Sequence, residues 1–180
     1  MPNLTTTVRS ATPRELPDLA QFVVDAYSEF STRLTTGNWA TMQESLRRAV
    51  MKPGDGLPLV ADVGGAIGGF VMYYPPGRSD GVLFPREWAS IRLLGVSQGM
   101  RGRGLGRNLM KECLRRAEAD GAAIFGLHTS ELMDTARGMY ERMGFAVVRE
   151  LERRVGVRYW LFKLDLPSPA SEPTRIQGAQ

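Results

Sequence analysis

The chain has 180 residues, 43% hydrophobic and 23% charged, with a formal net charge of +4 and one cysteine. That length suits one domain with a real core, and a single thiol excludes an internal disulfide framework. No apolar run reaches the roughly 18 residues of a membrane span, and the mild positive charge is weak support for bulk nucleic-acid binding. The opening "MPNLTTTVRS" lacks an apolar signal core, so an untargeted, cytoplasmic protein is expected.

An extended segment over about residues 5–10 leads into "ATPRELPDLAQFVVDAYSEF". Thr12, Pro13 and Glu15 have the layout of a capping box with an N1 proline, and Leu16, Leu19, Phe22, Val23, Ala26, Tyr27 and Phe30 then recur at helical spacing. A second helix is predicted from residue 38 or 39 to 51, stopped by "KPGDG". "LPLVADVGGAIGGFVMYY" reads as two strands around a turn at Gly64–Gly65, and "PPGRSDGVLFPRE" as a loop. "WASIRLLGV" is a strongly apolar strand. The helix predicted over 105–120 carries Leu105, Leu109, Met110, Cys113, Leu114 and Ala117 as one stripe, ending at Gly121. A buried strand "AAIFGLHT", a helix "DTARGMYERM" ended by Gly144, and two strands around Val155–Gly156 complete the pattern. The order β-α-α-β-β-β-α-β-α-β-β predicts one α/β (α+β) domain over residues 1–166, with a mostly antiparallel sheet and at least one βαβ unit. Residues 167–180, rich in Pro, Ser, Ala and Gln, are expected to be a disordered tail.

Between the apolar strand and the third helix stands "SQGMRGRGLGRNLM", four glycines within eight positions among arginines. Glycine lets backbone N–H groups converge on a ligand, a helix start adds unpaired N–H groups, and arginine fits phosphate oxygens. The pattern therefore predicts an anion site. It is not a Walker A loop, because Arg107 and Asn108 follow Gly106, and Arg107 stands where a dinucleotide fingerprint needs its third glycine. What remains is R-x-x-G-x-G, formed by Arg101, Gly104 and Gly106.

"IRLLGVSQGMRGRGLGRNLM" and "LHTSELMDTARGMYERMGF" together resemble the cofactor strand-loop-helix and the Tyr-x-x-x-Gly-Phe ending of the GCN5-related N-acetyltransferase superfamily. The resemblance spans about residues 5–166. It implies a central splayed sheet flanked by helices, with acetyl-CoA as acyl donor and transfer to a primary amine of a small molecule or peptide by direct attack. On this chain it implies that Leu94, Gly95 and Val96 line the pantetheine and acetyl group. The diphosphate would then lie on Arg101, Gly102, Arg103, Gly104, Leu105, Gly106 and Arg107. Tyr140 would protonate the leaving thiolate. The position matching the family's frequent glutamate base is Ser90, so Glu87, three residues earlier, is the candidate base. Met133 replaces a cofactor-contacting asparagine, with Thr129 or Ser130 as substitutes. His128 is the only imidazole, though a lone histidine in a strand is more often structural.

The acceptor pocket is expected to draw on Tyr27, Phe30, Arg33, Trp39, Tyr73, Tyr74, Arg78 and Trp88. A homodimer is compatible with this class; neither metal, membrane nor nucleic acid is expected as partner. Two alternatives stand beside the enzyme. One is an inactive acyl-CoA-binding sensor or scaffold of the same fold. The other, more remote, is a nucleic-acid-binding module using Arg101, Arg103, Arg107, Lys111, Arg115 and Arg116.

Overall fold

Chain order in the computed structural model follows the predicted sequence of elements, and the described residues are 5–79 and 81–167. They are β1 (Thr6–Ser10), α1 (Leu16–Tyr27), α2 (Thr36–Met51), β2 (Leu57–Val63), β3 (Ala66–Tyr74), β4 (Ala89–Val96), α3 (Leu105–Ala119), β5 (Ile124–Ser130), α4 (Asp134–Arg142), β6 (Ala146–Arg154) and β7 (Val157–Asp165). The predicted tail lies, from residue 168 onward, outside the described residues.

Local chemistry sets the boundaries. The Thr12 amide donates to the Glu15 carboxylate at 2.7 Å, and Arg9 pairs with the same carboxylate at 2.8 Å. The turn so capped is 3-10, Pro13–Glu15, before α1 proper begins. The second helix starts two to three residues earlier than predicted, because the Thr35 hydroxyl accepts from the Asn38 amide at 3.2 Å and caps the end. The hairpin turns are Gly64–Gly65 and Val155–Gly156, all four residues having positive φ.

The seven strands form one sheet in the order β1-β2-β3-β4-β5-β7-β6, antiparallel except for β4 and β5. Strand alternation separates two cores. Phe70 and Met72 of β3 face α1 and α2 with Leu19, Val23 and Leu46; Val71 and Tyr73 face α3 with Leu109 and Cys113. Each such fully buried apolar side chain contributes about 1.5–3 kcal/mol.

The sheet is not continuous along its length. β4 and β5 are paired only at Ala89↔Phe125 and Ser90↔Gly126, after which both strands run on unpaired with each other. Opposite Val71 of β3, β4 carries two residues, Leu93 and Leu94, where the register shifts between Arg92↔Met72 and Gly95↔Phe70. Leu93 sits at φ 61, a left-handed conformation costly for leucine. This bulge bends β4 away from β5. The result is a wedge-shaped gap in the middle of the sheet.

Candidate active site

The gap opens into a groove of about 870 Å³. Leu94, Gly95 and Val96 of β4 form one wall. Tyr27 and Phe30 close it from the α1 side, and Met133, Thr135 and Met139 from α4. The Tyr27 hydroxyl donates to the Leu94 carbonyl at 3.1 Å, so that carbonyl is spoken for. The Ser97 amide donates to Gly68 O on β3 at 2.9 Å. Strand alternation then turns the amide of Val96 to the opposite side, toward the gap.

The glycine-rich loop forms the groove's mouth. After a 3-10 turn at Gln98–Met100, Gly102 and Gly104 adopt φ 76 and φ 77. Gly104 is the N-cap of α3, and no side chain caps that helix. The amides of the first turn therefore have no intrahelical acceptor and point at the groove, where the helix dipole also favours an anion. A Cβ on Gly102 or Gly104 would meet no atom within 4 Å, so only the left-handed backbone demands glycine there. Leu105 is buried and anchors the helix start, while Gly106 and Arg107 line the groove with Gly102 and Gly104. The loop presents backbone rather than side chains, a form suited to the oxygens of a diphosphate.

Arg101 also lines the groove, but its guanidinium is bonded to the Glu29 carboxylate at 2.7 Å and to the Ala26 carbonyl at 3.0 Å. It ties the loop to the end of α1. Arg103 is exposed and does not line the groove. Neither Glu29 nor the Tyr27–Leu94 bond was foreseen from sequence, since both join segments about 70 residues apart.

Tyr140 is 4% exposed and lies under the groove rather than on its lining, edge-on to Phe145 at 5.9 Å. Burial raises its phenol above the ordinary tyrosine range, with Tyr27 and Cys113 adding to the shift, so it stays protonated at neutral pH. Glu87 is exposed and reaches neither this groove nor the smaller cavity beside it. Its carboxylate is thus not brought to the other site residues. Ser90 is buried at the last β4–β5 pair with an unpartnered Oγ.

Of the other candidates, Thr129 and Ser130 are buried and absent from the groove wall; the Ser130 hydroxyl accepts from the Leu132 amide at 3.3 Å. Met133 does line the groove, as the N-cap of α4. His128 stands between Phe84 and Tyr159, and burial pushes its pKa down to about 3, with Arg92 and Arg154 adding to the shift. Tyr73 belongs to the opposite core, its hydroxyl donating to Asp120 at 2.7 Å, and so leaves the acceptor set. Trp88 packs into the core against Gly126. Cys113 is wholly buried, and desolvation raises its thiol, which fits a core residue. Among the described residues no group of three or more His, Cys, Asp or Glu could hold a metal ion, and no helix is long and apolar enough to cross a membrane.

A sheet split beside an uncapped, glycine-led helix defines an acyl-CoA N-acyltransferase type of fold. The sequence profile of the acetyltransferase (GNAT) family matches residues 19–145, and the chain belongs to that family. By sequence, no curated protein matches it. Among solved structures it is similar to an acetyltransferase of the GNAT family from Streptococcus pneumoniae, at 18% identity and TM-score 0.66, over 91% of this chain and 100% of the other. The paiA N-acetyltransferase from Thermoplasma acidophilum, solved in complex with coenzyme A, is similar at 13% identity and TM-score 0.70, over 91% and 100%. The yncA protein from Salmonella typhimurium, solved with its cofactor acetyl-CoA, is similar at 16% identity and TM-score 0.63, over 94% and 99%. At these identities the likeness concerns the fold.

Proposed function

We propose that this protein transfers the acetyl group of acetyl-CoA to a primary amine of a small molecule or peptide by direct attack. The observation that carries this is the groove itself. A gap in the sheet, walled by Leu94, Gly95 and Val96, leads to a helix start whose free amides face its mouth. When bound, acetyl-CoA supplies an activated thioester and a diphosphate to be held. The amides of Gly102 through Arg107 would hold the diphosphate, with Arg107 adding charge. The Val96 amide would hydrogen-bond the acyl oxygen, where negative charge develops. Tyr140 would give its proton to the departing sulfur, and burial supports that role by keeping the phenol protonated.

Glu87 would serve as base only through intervening water, given its exposed position outside the groove. Positioning of the neutral amine then carries most of the activation. A Glu87→Gln variant should lose less than about tenfold in turnover, below the usual 10²-fold or more for a positioned base. An inactive acyl-CoA binder of this fold is the second reading, favoured by Ser90 standing where the resemblance implies a glutamate. Nucleic-acid binding fares worse, since Arg115 and Arg116 are both bonded to Glu112, at 2.8 and 2.9 Å.

Calorimetry with acetyl-CoA and with CoA tests the premise. Micromolar-range binding is expected, and its absence from folded protein would end the proposal. Thiol release on a panel of amines then separates the enzyme from the inactive binder.

A further inference from the structure

A second cavity, of about 410 Å³, adjoins β4 on the face that α1 and α2 cover. Ser90 and Arg92 line it from the strand, Lys52 from the end of α2, and Arg78 and Arg86 from the loop before β4. Among the described lining residues the one carboxylate is Asp55, beside Lys52, Arg78 and Arg86, while Arg92 is engaged by neighbours of its own. The Arg78–Asp55 pair is 3.3 Å apart with both side chains about 60% exposed, so it is weak and exchangeable. Arg92 lies over the rings of Tyr74 and Phe84, at 5.7 and 5.9 Å, which fix its guanidinium at the cavity.

The second observation is Ser90. It is 1% exposed and its Oγ has no hydrogen-bond partner. A buried, unsatisfied hydroxyl costs about 1–3 kcal/mol and calls for an explanation. A hydroxyl donor on the floor of a cation-lined cavity has an obvious complement, an oxyanion. The cavity's place in the fold says whose. Arg92 and Gly95 are three residues apart on one strand, roughly 10 Å at the extended rise and less across the bulge. That separation puts the cavity within one small molecule's length of the point where the amine would react.

We infer that this cavity holds an acidic group of the acceptor, a carboxylate or a phosphate, so that the substrate class is an amine carrying an acid at its far end. This rests on the acetyl-transfer proposal above and narrows it. Arg78 and Arg86 would supply charge-assisted hydrogen bonds, and Ser90 Oγ a donor from below. The spacing disfavours the α-carboxylate of an α-amino acid acetylated on its own α-nitrogen. It favours an amine several bonds removed from its acid.

The test is calorimetric titration of 6-aminohexanoate, its carboxamide and 6-aminohexyl phosphate, into free protein and into protein saturated with CoA. At least tenfold tighter binding of an acid than of the carboxamide is expected, and comparison of the two acids tells carboxylate from phosphate. Arg78→Ala combined with Arg86→Ala should erase the preference; both side chains are exposed, so the fold should tolerate the change. Ser90→Ala should weaken the acid severalfold and leave the carboxamide unchanged. Equal affinities, no binding of either acid, or a preference that survives the double variant would overturn the inference. CoA binding without acid preference sinks this inference alone. Acid preference in a protein that does not bind CoA sinks the transferase proposal, and the acceptor role with it.

Discussion

Tyr140 joins position to chemistry most directly. Its ring packs against Phe145, so Tyr140→Phe keeps the packing and deletes only the proton donor. Acetyl-CoA affinity should hold within about twofold while turnover falls roughly 10²-fold or more. Steady-state kinetics beside calorimetry checks both halves, and an unchanged turnover would remove Tyr140 from the mechanism. His128 has a different consequence. Its folded pKa, about 3, lies below the ordinary value of 6.5, so the folded state binds fewer protons than the unfolded chain. Stability contributed by the neutral imidazole is therefore complete above about pH 6.5 and lost as pH falls toward 3. The paired carboxylates Glu15 and Glu112, held down to about 2, keep their contribution in full above about pH 4.5 and lose it only as pH falls from there toward 2. Between pH 6.5 and 5 the loss, about 2 kcal/mol by linkage, should belong to His128. His128 Nδ1 is buried without a partner, so His128→Leu removes no bond there and should flatten the melting temperature across that window.

At the scale of elements, two glycines mark where backbone and packing leave no alternative. Gly104 caps α3 at φ 77, and Gly104→Val would force a β-branched residue into the left-handed region at about 1–2 kcal/mol. The cheaper escape is for the loop to move, which misaims the first-turn amides. Acetyl-CoA affinity should fall at least tenfold with a melting temperature only a few degrees lower. Gly126 lies under the loop that precedes β4. A Cβ there would stand 2.8 Å from Phe84 Cδ1 and 2.9 Å from Trp88 Cε3, so Gly126→Ala must displace two buried rings. Overpacking of this kind costs about 1–3 kcal/mol, and proteolysis within residues 75–88 should quicken as the loop lifts.

Across the whole molecule, the two halves of the sheet meet at only two β4–β5 residue pairs and otherwise face each other across the groove. A ligand filling that groove touches β4, α1, α3 and α4 together and should stabilise them as a unit. At a hundred times its dissociation constant, CoA would add about 2.7 kcal/mol. For a chain of this size that corresponds to a rise of roughly 5–10 °C in melting temperature. Hydrogen exchange should slow in the first turn of α3 and at the end of β4, and a rise without protection there would place the ligand elsewhere.

The order of elements was legible from local signals. Helical spacing in α1 and α3, glycine pairs at tight turns and β-branched runs in strands each act over a few residues, and neighbouring residues carry them. Family membership was legible for the same reason, since the R-x-x-G-x-G loop and the helix bearing Tyr140 are contiguous stretches. Tertiary structure alone decided what depends on distant segments meeting. The bulge at Leu93 opens the sheet because β3 holds one residue against two. Arg101, expected on the ligand, is held by Glu29 and Ala26 because the loop folds back on α1. Glu87 faces solvent from the loop before β4, and Tyr73 turns to the other core because strand register fixes which face each strand residue takes. Ser90 and four cations line one cavity because the end of α2, the loop before β4 and β4 itself meet there. Spacing along the chain says what a residue can do; only its neighbours in space determine whether it meets a ligand.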